Sequence, residues 1–286
     1  MIHQKAHKLL VYLALVMAAQ ACAPLQPPSV GGPRANEAPY PVLLAEDNHR
    51  RETATAAVNH LMRSEVATVT TPPLQPVTAT IESLPANTSP NVYLPKVGAN
   101  PVMNEEETRE ALRRFIRDWQ GPIGAEPAKL SLVDRVDQPD GSKIARYEQR
   151  AFRYPTRGNY GKLEIRFTPE RRVLNIMSTC IPDADKLQAA LAAVPVKLKA
   201  EDAMTALIAN EIQYSDAGGT KLNFRPTANN KLEPHELVTY ITPAATQPNG
   251  LEFHVAWEIS VGGAPFQIAY VDAVTGQVVG TRQGGR

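Results

Sequence analysis

Cys22 is the residue whose surroundings name a reaction most directly. It closes the run Ala19-Gln20-Ala21-Cys22, immediately after an unbroken apolar stretch of 11 residues from Leu9 to Ala19, and Lys5 and Lys8 precede that stretch with no acid among the first eight residues. A basic lead and an apolar core of this length make an export signal and are too short to span a bilayer. The small residues before Cys22 fit a bacterial lipobox, whose cysteine is acylated and becomes the new N-terminus; plain secretion after a small-x-small cleavage is the alternative. Stable anchoring needs more than one acyl chain, because a single chain binds only marginally. Residues 1–21 are therefore expected to be a signal peptide. Cys22 is expected to carry lipid, on a bacterial membrane facing the periplasm or at the outer membrane.

The other chemically capable side chains do not assemble into a motif. Cys180, the only other cysteine, is expected to be a buried thiol in or just after a strand, without a reactive role. Of the six histidines, His3 and His7 belong to the signal, and His49, His60, His235 and His254 stand alone in sequence. No His-Glu-x-x-His places two imidazoles one helical turn apart for zinc, and "PHELV" has only one histidine. There is no Gly-x-Ser-x-Gly and no glycine-rich loop opening a helix to cradle phosphate. The chain thus reads as a non-enzyme, with no catalytic, cofactor-binding or metal-ligating residue. A net charge of +1 with interspersed signs gives no electrostatic reason to bind nucleic acid.

Composition divides the chain. Of 25 prolines, 13 lie between Pro24 and Pro101 among Thr, Ala, Ser and Asn, so residues 22–103 cannot bury enough apolar surface to fold by themselves. They are expected to form a disordered tether reaching roughly 50 Å as a flexible coil. One interruption is a possible short helix over 49–65, where Ala54, Val58, Leu61 and Met62 fall at helical spacing behind Asn48.

Ordered structure is expected from Asn104. That residue caps "EEETREALRRFIRDW", Glu107 completes a capping box, and Leu112, Phe115, Ile116 and Trp119 share one face. The period then changes to two. "LSLVDRV" and "SKIARYEQRAF" flank the turn Gln138-Pro139-Asp140-Gly141, and Leu163, Ile165 and Phe167 alternate with Lys162, Glu164 and Arg166 before "VLNIM". After Pro195 comes a helix with Ala203, Leu207 and Ile208 inward, a polar loop, and the strand "HELVTYITP". In "EFHVAWEISV", Phe253, Val255, Trp257, Ile259 and Val261 oppose a wet face of Glu252, His254, Glu258 and Ser260. Asp272 and Gly276 then mark a turn. The expected fold class is α+β: two small domains, 104–190 and 191–286, each a helix packed on an antiparallel sheet.

"ALRRFIRDW…LSLVDRVDQPDGSKIARYEQRAF…KLEIRF" resembles the fungalysin/thermolysin propeptide (FTP) domain. "KAEDAMTAL…HELVTYI…FHVAWEIS…IAYVDAVTGQVV" resembles the PepSY domain that follows it in precursors of thermolysin-type metalloproteases. The likeness spans residues 104–286 and rests on the order and spacing of the pieces. Two positions depart from the pattern: "RYPTRGNYG" replaces the usual Gly-Val-Pro-Val, and Lys199 stands where Ser or Thr commonly caps a helix. The resemblance implies a propeptide-like module that acts in trans as inhibitor, chaperone or holder of an exported metalloprotease. The residues past Val279 would form a tail near the enzyme. A cell-envelope assembly or structural lipoprotein with a non-protease protein partner is the alternative.

Overall fold

The computed structural model describes residues 38–62, 72–84, 92–100, 102–216 and 218–284. Cys22 lies outside them.

The first strand, β1 (Val42–Ala45), leads into helix α1 (Asn48–Met62). Helix α2 (Glu105–Asp118) begins as its sequence implies: the Asn104 side chain accepts from the Glu107 amide at 2.9 Å, and the Glu107 carboxylate accepts from the Asn104 amide at 2.8 Å. A further turn, α3 (Gln120–Ile123), contains Gly121-Pro122 and runs on until Gly124 takes a left-handed conformation. Four strands follow in the first sheet: β2 (Leu130–Asp137), β3 (Lys143–Gln149), β5 (Lys162–Phe167) and β6 (Val173–Ser178), antiparallel in the order β2-β3-β5-β6. The β2–β3 hairpin turns at the predicted Pro139-Asp140-Gly141, with Gly141 at positive φ. Leu112, Phe115, Ile116 and Trp119 from the helix face meet Ala145, Leu163, Ile165 and Ile176 from the sheet in one core.

The second sheet runs β12-β11-β10-β9-β4, made of β4 (Thr156–Arg157), β9 (Leu232–Pro243), β10 (Gly250–Val261), β11 (Ile268–Asp272) and β12 (Val278–Arg282). Along the edge of β10 opposite β9, β1 pairs with Gly250–Phe253 and β11 with Ala256–Ser260. Two short strands thus share one long neighbour end to end. The inner face is covered by helices α4 (Ala184–Ala192) and α5 (Ala200–Ala209). Ala203 and Leu207 point in as predicted, whereas Ile208 is exposed. The stretch read as a polar loop contains a hairpin, β7 (Ile212–Ser215) and β8 (Lys221–Phe224), tied at its turn by the Asp216 carboxylate, which accepts from the Gly218 and Thr220 amides. Tyr214 and Phe224 of this hairpin pack on Phe266.

The α+β class with helices on antiparallel sheets is what the structure has, but four further expectations are corrected. The proline-rich segment, where described, is not a tether. Ile81 and Leu94 are fully buried in the first core, α1 contributes Val58 and Met62 to it, and β1 contributes Val42 and Leu44 to the second. Low apolar content shows that a segment cannot make a core of its own; it does not prevent the segment from completing another. Here it also covers an edge: the amides of Val173 and Ser178 on β6 donate to the carbonyls of Val92 and Ile81, so the otherwise open strand is capped. The second correction is the boundary near 190. Helix α4, assigned by sequence to the first domain, places Ala184, Leu187 and Leu191 against Ile241, Leu251 and Phe253 of the second sheet, and all these elements belong to one compact unit, Pro39–Arg286. Third, Gly280–Arg282 are strand rather than tail, paired with Tyr270–Ile268. Fourth, the outer face of β10 is largely dry: His254 and Glu258 are each only 7 % exposed.

No helix among the described residues is long and apolar enough to cross a membrane.

Candidate functional site

The dry outer face of the second sheet holds the polar groups that sequence patterning left to solvent, in two clusters. The first lies where β1 and β11 meet along β10. Neither strand reaches the Val255 amide, and the Tyr40 hydroxyl fills the gap, accepting from that amide at 3.1 Å and donating to Asp272 Oδ2 at 2.6 Å. His254 Nδ1 lies 2.7 Å from the same carboxylate oxygen, and its Nε2 lies 3.4 Å from Glu252 Oε2. Asp272 Oδ1 accepts from the Val274 and Thr275 amides, each at 2.8 Å, and Gly276 has φ 77°. The turn is therefore made as its sequence implied. Asp272 is 1 % exposed. Burial opposes its ionisation, but the hydrogen bonds from His254, Tyr40 and the two amides outweigh burial and hold the carboxyl below the usual range. Burial, then the Asp272 charge and the hydrogen bond to it, push the Tyr40 phenol far up, so Tyr40 stays a donor. This cluster has every member satisfied and ties the N-terminal strand to the Asp272–Gly276 turn; its chemistry is that of a fastener.

The second cluster borders a cleft. It is built by "RYPTRGNYG", the loop in which the chain departs from the propeptide pattern. Thr156 and Arg157 of this loop add β4 in parallel to Thr239 and Tyr240 of β9. Gly158 then passes so close to β9 that a Cβ on it would lie 2.6 Å from the Ile241 carbonyl oxygen, and its φ of 100° independently favours glycine. The turn places Arg157 over the sheet. Its Nε donates to Glu258 Oε2 at 2.6 Å and one terminal nitrogen to Glu236 Oε1 at 2.9 Å. Arg282 on β12 approaches the other Glu258 oxygen at 3.6 Å. Tyr240 and Tyr270 stack beside them, ring centroids 4.5 Å apart at 26°. A side chain at Gly280 would collide with the Tyr240 hydroxyl, 2.0 Å from the Cβ position, so glycine there lets the ring lie flat.

Between this face and the start of β5 lies a cleft of about 440 Å³, with Glu148, Lys162, Asn159, Tyr240, Tyr270 and Arg282 among its walls. Burial and then the Glu258 charge push the Tyr270 phenol up to about 12, and burial raises that of Tyr240. Both hydroxyls are therefore protonated donors near neutrality.

The residues singled out by sequence are not brought together. His49, His60, His235 and His254 lie on α1, β9 and β10, and no group of three His, Cys, Asp or Glu among the described residues is placed to hold a metal ion. Cys180 follows β6 as expected; it is fully buried, and burial pushes its thiol up to about 12, which leaves little nucleophilic thiolate at neutral pH. The cleft residues Arg157, Tyr240, Tyr270 and Arg282 were not anticipated. The one available signal was the loop replacement itself, whose Arg157, Gly158 and Tyr160 have no role in a plain connection.

No family model matches this chain, and no curated protein matches it.

Proposed function

We propose that this chain is an exported, lipid-anchored binding module without catalysis of its own, whose partner is a thermolysin-type metalloprotease that it inhibits, chaperones or holds at the cell envelope. The observation that supports this best is serial architecture. A helix-backed antiparallel sheet is followed by a second, and the second finishes on a β11–β12 hairpin whose Asp272 accepts two amides in the turn before Gly276. That is the order in which the propeptide-like pieces occur in the sequence. A module of this kind acts through a complementary surface, and a stable complex would bury on the order of 1,200–2,000 Å².

The test is to mix the purified full chain with a thermolysin-type protease exported by the same cells and to follow both complex formation and cleavage of an unstructured substrate. A stoichiometric complex with slowed or redirected cleavage is expected, and the chain alone should be inert toward the substrate with or without zinc. Absence of any complex, together with stoichiometric capture of a non-protease envelope protein, would replace this reading by the assembly-lipoprotein one. Anchoring is checked separately: Cys22→Ser should release the protein from membranes or leave it unprocessed, and an unmodified mature mass for the native chain would remove the lipid from the proposal.

A further inference from the structure

The cleft beside β4 has a chemical bias that the binding role above does not account for. Three cations border it, Arg157, Arg282 and Lys162, against two carboxylates, Glu258 and Glu236, that engage the arginines. The remaining acid on its wall, Glu148, is already taken by Arg150, whose terminal nitrogen donates to it at 3.2 Å. Arg157 is committed on both sides to glutamates and also donates to the Thr156 carbonyl, so it has no fork left to offer. Arg282 differs. Its side chain is half exposed and approaches Glu258 with one nitrogen at 3.6 Å, beyond hydrogen-bond length, which leaves its guanidinium free to donate to an outside partner. Lys162 has no acidic partner among the described residues. Neither the Tyr240 nor the Tyr270 hydroxyl has a hydrogen-bond partner among the described residues, and both line the cleft. Uncommitted donors therefore outnumber uncommitted acceptors, and the stacked tyrosine rings supply a flat wall beside them.

We propose that this cleft is a binding site for a ligand bearing a carboxylate or phosphate oxyanion, with Arg282 and Lys162 holding the charge and the Tyr240 and Tyr270 hydroxyls donating to it. Arg157 and Glu258 are positioning residues: Arg157 holds the Glu258 carboxylate through its 2.6 Å hydrogen bond, and Glu258 faces Arg282 with its other oxygen. The site belongs to the body of the chain and does not depend on which protein the module binds.

The experiment is calorimetric titration of the full chain with inorganic phosphate, with glucuronate against neutral glucose, and with N-acetyl-dialanine against its C-terminal amide. The charged probe of each pair should bind at least about tenfold more tightly than its neutral mate, with affinity falling as salt is raised. The tightest of phosphate, sugar acid and peptide acid identifies the source of the oxyanion. Arg282→Gln combined with Lys162→Gln should weaken binding at least about tenfold while the fold is retained, because Glu258 keeps its 2.6 Å hydrogen bond from Arg157. Arg146→Gln removes an exposed cation from the first sheet, outside the cleft, and should bind as the native chain does. Equal binding of charged and neutral mates would overturn the proposal, as would an unaffected double variant, an Arg146→Gln loss as large as that of the double variant, or no heat with any probe up to about 10 mM.

Discussion

The two sheets present charge on their outer faces under opposite conditions. On the first, Asp134, Arg146 and Glu164 form a row across three strands, with Arg146 reaching the two acids at 3.3 and 2.9 Å, and all three side chains are part-exposed, at 34 to 44 %. On the second, the Glu258 and Asp272 side chains are 9 % and 1 % exposed, and each has several partners. In sequence the two faces look alike, polar residues alternating with apolar ones. The difference is imposed from far along the chain, by Tyr40 at one end of the second face and the 156–162 loop at the other. Alternation tells which way a side chain points; whether it meets water depends on what is laid over it. An ion pair in water is screened and contributes little, whereas a buried carboxylate must keep its donors or destabilise the fold.

The comparison breaks first at Asp272 if it breaks at all. Asp272→Ala removes the acceptor for Tyr40, His254 and two turn amides, and should cost about 3–5 kcal/mol in denaturant unfolding of the full chain. A loss under about 1 kcal/mol would mean that the second face tolerates removal of a carboxylate as the first should. The acid limb gives a separate reading. Because the folded-state carboxyl titrates below its unfolded value, its contribution is fully present above about pH 4 and is lost as the pH falls through the lower, folded value. Asp272→Asn should therefore flatten the stability profile in that acid range and leave its slope near neutrality unchanged.

The next largest effect concerns the segment that covers rather than the face that is covered. Leu94 is fully buried in the first core although it sits between Tyr93 and Pro95 in the proline-rich stretch. Leu94→Ala should cost about 2–5 kcal/mol, the range for a buried leucine cavity. A tether would register nothing. Limited proteolysis offers an independent check, since the described parts of residues 38–100 should resist a nonspecific protease together with the body.

What was legible follows from the range over which each feature is determined. The capping box at Asn104, the turn at Pro139-Asp140-Gly141, the inward faces of α2 and β5 and the Asp272 turn are decided within a few residues, and the sequence carried them. The burial of Cys180 and the apolar phase of β10 were also readable. The docking of Ile81 and Leu94, the move of α4 to the second sheet and the drying of His254 and Glu258 depend on partners roughly 50 to 200 residues away, and local composition points the other way in each case. The cleft was illegible for the same reason. Its stacked tyrosines, Tyr240 and Tyr270, come from β9 and β11, its arginines from β4 and β12, and no short window contains two of its walls except the 156–162 loop.

The smallest and sharpest test uses two arginines in the same role. Arg146 bridges Asp134 and Glu164 on the first sheet; Arg157 bridges Glu236 and Glu258 on the second. Both guanidiniums are held in their charged form by these acids; for Arg157, burial works against the charge, and the Glu258 hydrogen bond together with the nearby charges of Glu258 and Glu236 outweighs it. Substituting each by glutamine removes one cation and keeps much of the side-chain bulk. Arg157→Gln strands Glu258 against a dry surface with only the longer Arg282 contact, and should cost about 1.5–3 kcal/mol, as expected for a charged hydrogen bond lost away from water. Arg146→Gln leaves Asp134 and Glu164 to hydration and should not move the denaturation midpoint. Salt separates them further: raising it should leave the Arg157→Gln deficit in place, because screening reaches covered pairs poorly. Equal deficits from the two substitutions would show that the loop over β4 does not dry the second face, and the contrast between the sheets would then be one of crowding alone.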